Sequence, residues 1–190
     1  MQIPNLISLL RLIMAPVLLW LAWHAYARAV FIVLFASFAS DVLDGYLARR
    51  LGQTSDAGAR LDSVADFSIY LTIPLVGWWL WPDIMRREAP YFITAIASTV
   101  LPPIIGYCKF RTGTSYHTRA AKLAAFSLGS SVLLLFAGWP PYLFRLATPV
   151  IVYAALEEIA ITLVLPESQS NVRSIWHIVR LRADQRKRVS

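Results

Sequence analysis

Long apolar runs separated by short polar segments dominate this chain. Six runs approach the ~20 residues needed to cross a bilayer core, and prolines mark several of their ends. They lie at Leu6–His24, Ala29–Ala48, Leu61–Trp81, Pro90–Tyr107, Ala120–Gly138 and Tyr142–Leu165. The pattern predicts an all-α integral membrane protein with six transmembrane helices in one domain, residues 1–166. The basic segment that follows, residues 167–190, is predicted to be an amphipathic tail on the membrane surface.

Composition agrees with this class. Apolar residues make up 57% of the 190 residues and charged residues only 15%, whereas about a quarter of a soluble domain is charged. The net charge is +7, which in a membrane protein indicates cytoplasmic anchoring rather than nucleic-acid binding. We therefore expect no nucleic-acid partner.

The distribution of basic residues predicts the orientation. With six spans, all but four of the 18 lysines and arginines fall on the side shared by the two termini; the exceptions are Arg28, Arg86, Arg87 and Arg145. Every tryptophan except Trp176 falls at the opposite boundary, as expected for an interfacial belt. Both termini are therefore predicted to be cytoplasmic.

Four aspartates stand at regular spacing beside this apolar pattern. Asp41 and Asp44 close the second predicted helix, whereas Asp62 and Asp66 open the third. Spacings of three and four residues place each pair on one helix face. Carboxylates near hydrocarbon are costly without a partner, and an all-oxygen ligand set suits Mg²⁺ or Mn²⁺. The four aspartates are thus predicted to bind divalent metal near the cytoplasmic headgroups.

The full pattern, Asp-x2-Asp-Gly-x2-Ala-Arg-x8-Gly-x3-Asp-x3-Asp from Asp41 to Asp66, resembles the signature of the CDP-alcohol phosphotransferases. The segment from Pro4 to Arg11 also resembles the opening of many members, phosphatidylglycerophosphate synthases in particular. This resemblance implies a six-helix core, a homodimer, and transfer of a phosphatidyl group from a CDP-linked lipid such as CDP-diacylglycerol, with release of CMP. It further implies an inner-membrane location with the active site at the cytoplasmic face.

The resemblance also implies roles for individual residues. Asp66 is the expected catalytic base, and Asp41, Asp44, Asp62 and Asp66 are the expected ligands of two Mg²⁺ or Mn²⁺ ions. The cytidine-diphosphate pocket is expected to use Asp44, Gly45, Ala48, Arg49 and Gly58. A guanidinium such as that of Arg49 suits phosphate because its donors form a planar fork.

A basic connection between the fourth and fifth predicted helices is the candidate site for a phosphorylated acceptor. Lys109, Arg111, Arg119 and Lys122 could bind the acceptor phosphate, or they could be inner-side anchors on anionic lipid. Glu158 could contact acceptor hydroxyls, whereas Glu157 and Glu158 could instead form structural ion pairs.

The acceptor itself is less well determined by the sequence. Glycerol 3-phosphate is favoured by the N-terminal resemblance, with inositol phosphate or serine as the alternative. After the third aspartate the chain reads Asp62-Ser63-Val64-Ala65-Asp66-Phe67, without the proline and lysine usual in phosphatidylglycerophosphate synthases. Whether Ser63 and Phe67 affect the choice of acceptor stays open.

A divalent-cation transporter is the alternative from a different class. Its aspartates would form a filter on a conduction path with polar residues continuing toward the outer face. The third predicted helix instead continues through apolar residues such as Ile69, Ile73 and Val76. The sequence therefore favours the enzyme.

Overall fold

The described part of the protein is a bundle of α-helices. A computed structural model describes residues 3–51, 56–112, 116 and 118–166. Its helices are α1 (Ile3–Trp23), α2 (Ala27–Leu51), α3 (Asp56–Leu80), α4 (Pro82–Arg87), α5 (Ala89–Phe110), α6 (Arg119–Phe136) and α7 (Tyr142–Val164). Within these ranges no strand occurs. The predicted tail, residues 167–190, lies outside them.

Among the described residues, five helices are long and apolar enough to cross a membrane, and they match five of the six predicted spans. These are α1, α3, α5, α6 and α7. The helix α2 has 25 residues; its described apolar stretch is Ala27–Ser40, and most side chains beyond Ser40 lie outside what the structure describes. Over the described residues the all-helical class is thus confirmed, with five candidate spans, whereas the sixth span and the cytoplasmic termini stay predictions. The short helix α4 was not predicted.

Successive long helices reverse direction, so that α1 lies parallel to α3 and α5 lies parallel to α7. Arg11 contacts Asp62 near the start of α1 and α3, while Trp23 contacts Trp79 near their ends. Helices α1, α2 and α3 form one packed group and α5, α6 and α7 a second. The groups meet through α2 with α6 and α3 with α5.

The two ends of the bundle differ in chemistry. At the polar end, α1, α3 and α6 begin and α2, α5 and α7 end. At the tryptophan end, exposed indoles cluster: Trp20, Trp23, Trp78, Trp79 and Trp139. The rings of Trp23 and Trp79 meet edge to face with centroids 5.4 Å apart. The predicted clustering of tryptophans at one boundary is thus present in the structure.

The helix surfaces carry large apolar side chains, as lipid-facing surfaces do. On α1 the exposed residues Leu6, Leu10, Ile13 and Val17 recur every three to four positions, which defines one helix face. The core contains small residues where helices approach closely. A Cβ added at Gly129 of α6 would lie 3.0 Å from the ring of Phe38 on α2, so this glycine permits the contact between the two helix groups.

A buried ion pair joins α7 to the segment before α5 at the tryptophan end. The Glu88 carboxylate is fully buried. It accepts hydrogen bonds from Arg145 Nε at 2.8 Å and Nη2 at 2.9 Å, and from Arg87 Nε at 3.2 Å. The hydrogen bond from Arg145 is the largest effect on the pKa of Glu88; it outweighs desolvation, and the pKa is lowered from its usual value.

Glu88→Gln is expected to lower the melting temperature of the detergent-solubilised protein by several degrees, because Arg145 loses its charged partner. Since the folded-state pKa of Glu88 is lowered, its contribution is present above about pH 4.5 and is lost as pH falls through the folded pKa. The gap between wild type and variant should therefore shrink in acid. Asp83→Asn is the control, because Asp83 forms an exposed pair with Arg86. Equal shifts for both variants would contradict a special role for Glu88.

The orientation predicts opposite accessibility for the two ends. In a Cys108→Ser background, Arg86→Cys at the tryptophan end should react with a membrane-impermeant maleimide in intact cells. Arg111→Cys at the polar end should react only after permeabilisation. Both native side chains are exposed, so burial does not explain a difference. Labelling of Arg111→Cys alone in intact cells would reverse the predicted topology.

Candidate functional site

The residues of the acidic pattern gather at the polar end, on the last turns of α2 and the first turns of α3. Asp41, Asp44, Gly45, Ala48 and Arg49 belong to α2. Gly58, Asp62 and Asp66 belong to α3. Because the two helices are joined by only four residues, 52–55, the backbone brings both halves of the pattern to one end of the bundle. The side chains of the five α2 residues lie outside what the structure describes.

Asp62 and Asp66 converge on a single guanidinium. Arg11 Nη1 donates to Asp62 Oδ1 at 3.1 Å and also to Asp66 Oδ1. Ser8, one turn earlier on α1, donates from Oγ to Asp62 Oδ1 at 3.3 Å. The two carboxylates therefore share one face of α3, as their spacing predicted, and α1 supplies their positive partner.

The burial of these groups is unequal. The Arg11 side chain is only 2% exposed, whereas those of Asp62 and Asp66 are 28% and 29% exposed. The arginine thus lies behind the carboxylates, between α1 and α3, and the carboxylates lie nearer the surface. From the sequence, Arg11 is an inner-side cation at the end of the Pro4–Arg11 segment, and its contact with the aspartates was not predicted. The three-residue spacing of Ser8 and Arg11, which places them on one face of α1, was the available signal.

The two described carboxylates, those of Asp62 and Asp66, suit a divalent cation. Two carboxylates within reach of one nitrogen supply the hard oxygen ligands that Mg²⁺ and Mn²⁺ prefer. Among the described side chains, no group of three or more possible ligands comes together. Asp62 and Asp66 therefore form half of the predicted ligand set, and the α2 aspartates Asp41 and Asp44 complete it only as a prediction.

Lys109 has a structural partner that the sequence did not reveal. Its ammonium donates to the carbonyl oxygens of Thr162, Leu163 and Leu165 at 2.8, 2.9 and 2.8 Å. Three acceptors match the three hydrogens of an ammonium group, and the contacts satisfy carbonyls at the end of α7 that lack helical partners. Acceptor binding by Lys109 stays a prediction, and it would compete with these bonds.

The other predicted acceptor cations lie exposed at the same end. Arg111 ends α5 in the left-handed conformation, with φ 57°, while Arg119 and Lys122 lie in the first turn of α6. All three side chains are exposed. Thr118 caps α6 by accepting a hydrogen bond from Ala121 N at 3.0 Å, which fixes the start of the helix that carries Arg119 and Lys122.

A second polar contact connects the segment between α5 and α6 to α7. Thr162 Oγ1 donates to the phenol oxygen of buried Tyr116 at 3.2 Å. Burial raises the pKa of Tyr116; the bond from Thr162 opposes this, and the negative charge of Glu158 raises it further. Glu158 therefore lies within electrostatic reach of Tyr116, and Glu157 beside it is buried. Glu157 thus lies inside the protein, as expected for a charge inside a span, and Glu158 is half-buried.

By its fold and site, the protein belongs to the class of all-helical membrane bundles with paired carboxylates at one end. Sequence comparison identifies the family. The profile of the CDP-alcohol phosphatidyltransferase family matches residues 1–165. The chain belongs to this family. The resemblance drawn from the acidic pattern is confirmed.

The curated relatives carry two kinds of name. The chain is 47% identical over 70 residues to a CDP-diacylglycerol–glycerol-3-phosphate 3-phosphatidyltransferase of Pseudomonas fluorescens, covering 35% of each chain. It is 38% identical over 103 residues to a CMP-forming cardiolipin synthase of Streptomyces coelicolor, covering 47% of each. A putative cardiolipin synthase of Mycobacterium bovis is 34% identical over 98 residues, covering 47% of this chain and 46% of the relative.

These matches therefore span about half the length of the relatives or less. No solved structure matches the chain.

Proposed function

We propose that this protein is a phospholipid synthase that transfers a phosphatidyl group from CDP-diacylglycerol to a small hydroxyl acceptor and releases CMP. Glycerol 3-phosphate is the leading acceptor. The observation that carries the proposal is the convergence of Asp62 and Asp66 on one face of α3, within the acidic pattern of a family member. The name of the Pseudomonas fluorescens relative supports the acceptor.

In this proposal the acidic end of the bundle binds the charged part of the CDP-lipid. Asp41, Asp44, Asp62 and Asp66 would hold Mg²⁺ or Mn²⁺, which when bound offsets the charge of the diphosphate and of the departing cytidylate. Gly45, Ala48 and Gly58 present little or no side chain, which allows close approach of the nucleotide. Arg49 adds planar donors for phosphate.

Asp66 is the proposed base. Its carboxylate takes the proton from the acceptor hydroxyl as that oxygen attacks the phosphorus attached to the lipid, and the bond from phosphorus to the cytidylate oxygen breaks. Asp66 is partly exposed while Arg11 holds it from behind. This arrangement supports a base that is fixed in position yet reachable from the surface.

The transporter alternative finds little support in the described part of α3. Beyond Asp66, the buried residues of this helix are Ile69, Thr72, Ile73, Val76 and Gly77. The single hydroxyl among them, that of Thr72, donates to Ser68 O at 2.8 Å within its own helix. A conduction path would need polar groups continuing from the carboxylates, so the enzyme is favoured.

The cytoplasmic location of the site, the inner membrane and the homodimer belong to the same proposal. They follow from the charge distribution and from the family. The acceptor is the part of the proposal that experiment should decide first.

Purified protein with CDP-diacylglycerol and Mg²⁺ is expected to release CMP when glycerol 3-phosphate is added, and EDTA should abolish the release. Inositol phosphate, serine and phosphatidylglycerol are the competing acceptors, the last because relatives named cardiolipin synthase also align. Asp66→Asn should lower the rate by about 10²–10⁴-fold, because a positioned base contributes that much. Asp83→Asn, the same change at an exposed site at the other end, should leave the rate unchanged. A folded Asp66→Asn variant with the wild-type rate would refute the base.

Arg119→Ala is expected to raise the KM for a phosphorylated acceptor by roughly tenfold, the loss of one charge-assisted hydrogen bond. The KM for the CDP-lipid should change little. Arg86→Ala, an exposed arginine at the tryptophan end, is the matched control. Equal changes in both KM values would place Arg119 outside the acceptor site.

A further inference from the structure

Arg11 of α1 contacts both Asp62 and Asp66 of α3. A single nitrogen of the guanidinium donates to one oxygen of each carboxylate. The residues are 51 and 55 positions apart in the chain. Only the packing of α1 against α3 therefore brings them together.

The burial of Arg11 limits what this side chain can do. The whole residue is 1% exposed, and α1 packs extensively along α3. Moving a guanidinium from this position into water or lipid would require α1 and α3 to separate, and an arginine in hydrocarbon is costly. Arg11 is therefore a fixed charge rather than a mobile arm.

The carboxylates need such a charge. Two aspartates one turn apart on α3 repel each other when both are ionised, and the repulsion is stronger where water is scarce. Arg11 engages Oδ1 of both, and Ser8 adds a donor to Oδ1 of Asp62. One guanidinium thus contacts both negative side chains.

We propose that Arg11 is a positioning residue that serves as the built-in counter-cation of the Asp62–Asp66 pair. It orients one oxygen of each carboxylate within the proposed metal site. It stays in place when that cation binds. This role rests on the proposed metal site, and it stabilises the protein whether or not a cation is bound.

The test is thermal unfolding of the full-length protein in detergent, with EDTA or with Mn²⁺. Arg11→Met keeps much of the side-chain length but removes the charge. In EDTA its melting temperature should fall by several degrees, because two carboxylates lose their shared partner. Mn²⁺ can supply the missing charge, so the rise in melting temperature on adding Mn²⁺ should be at least about twice that of wild type.

A second substitution separates charge compensation from simple packing. Asp66→Asn added to Arg11→Met removes one of the two repelling charges, so the double variant should recover much of the stability lost in EDTA. If Arg11 acted only through packing, adding Asp66→Asn would not recover the stability lost in EDTA. Arg28→Met, at an exposed arginine on α2, is the matched control and should unfold as wild type does.

Three results would be informative in different ways. Recovery by Asp66→Asn together with the enlarged Mn²⁺ effect supports the proposal. The proposal is overturned if Arg11→Met lowers the melting temperature equally in EDTA and in Mn²⁺ and the double variant recovers no stability. If Arg11→Met does not accumulate, accumulation of the double variant supports the counter-cation role, and its absence as well overturns that role.

Failure of the proposed function has a separate signature. Two properties of the wild-type protein are measured: Mn²⁺ binding and CMP release. Mn²⁺ binding is monitored as the loss of the electron paramagnetic resonance signal of the free ion. Suppose that wild type binds Mn²⁺ and releases CMP, while the Arg11 variants show neither the enlarged Mn²⁺ effect on melting temperature nor the recovery by Asp66→Asn. In that case only the role of Arg11 is wrong. If wild type does neither, the proposed function is wrong.

Discussion

Charge held in apolar surroundings is the constraint on which the rest of this structure depends. An ionised side chain inside a membrane bundle is stable only when another group compensates it. The protein meets this requirement between parallel helices: Arg11 of α1 binds Asp62 and Asp66 of α3. At the opposite end, Arg145 of α7 binds Glu88, the residue that precedes α5. These contacts fix the register of helices whose other contacts are largely apolar and therefore less directional.

The two ends of the bundle suit different roles: the tryptophan end suits anchoring, and the polar end suits the proposed reaction. The tryptophan end combines exposed indoles with the buried Glu88 pair, which suits an interface that holds the helices in place. The polar end carries the acidic pattern, the exposed cations of α5 and α6, and the contacts of Lys109 with the end of α7. In the proposed function, substrates with phosphate groups would meet the acidic pattern and these cations at this end. The scaffold thereby confines the proposed reaction to one membrane surface.

The part of the site on α3 follows from residue spacing, because spacing along a helix fixes which side chains share a face. The pairing of Asp62 with Asp66 was predicted in this way and is present. The assignment of Lys109 to the acceptor illustrates the limit of that reasoning. A lysine in a basic connection is equally suited to phosphate and to helix carbonyls, and only the position of α7 shows that three carbonyls lie within reach.

The sequence by itself determined the apolar runs, five of which are helices long enough to span a membrane, and the acidic pattern that identifies the family. Both depend on local periodicity and on the identity of neighbouring residues. Only the tertiary structure decided which charges meet. Arg11 and Asp62 are 51 residues apart, and Lys109 and Thr162 are 53 apart. No periodic pattern connects positions so distant, since their contact depends on how helices pack in three dimensions.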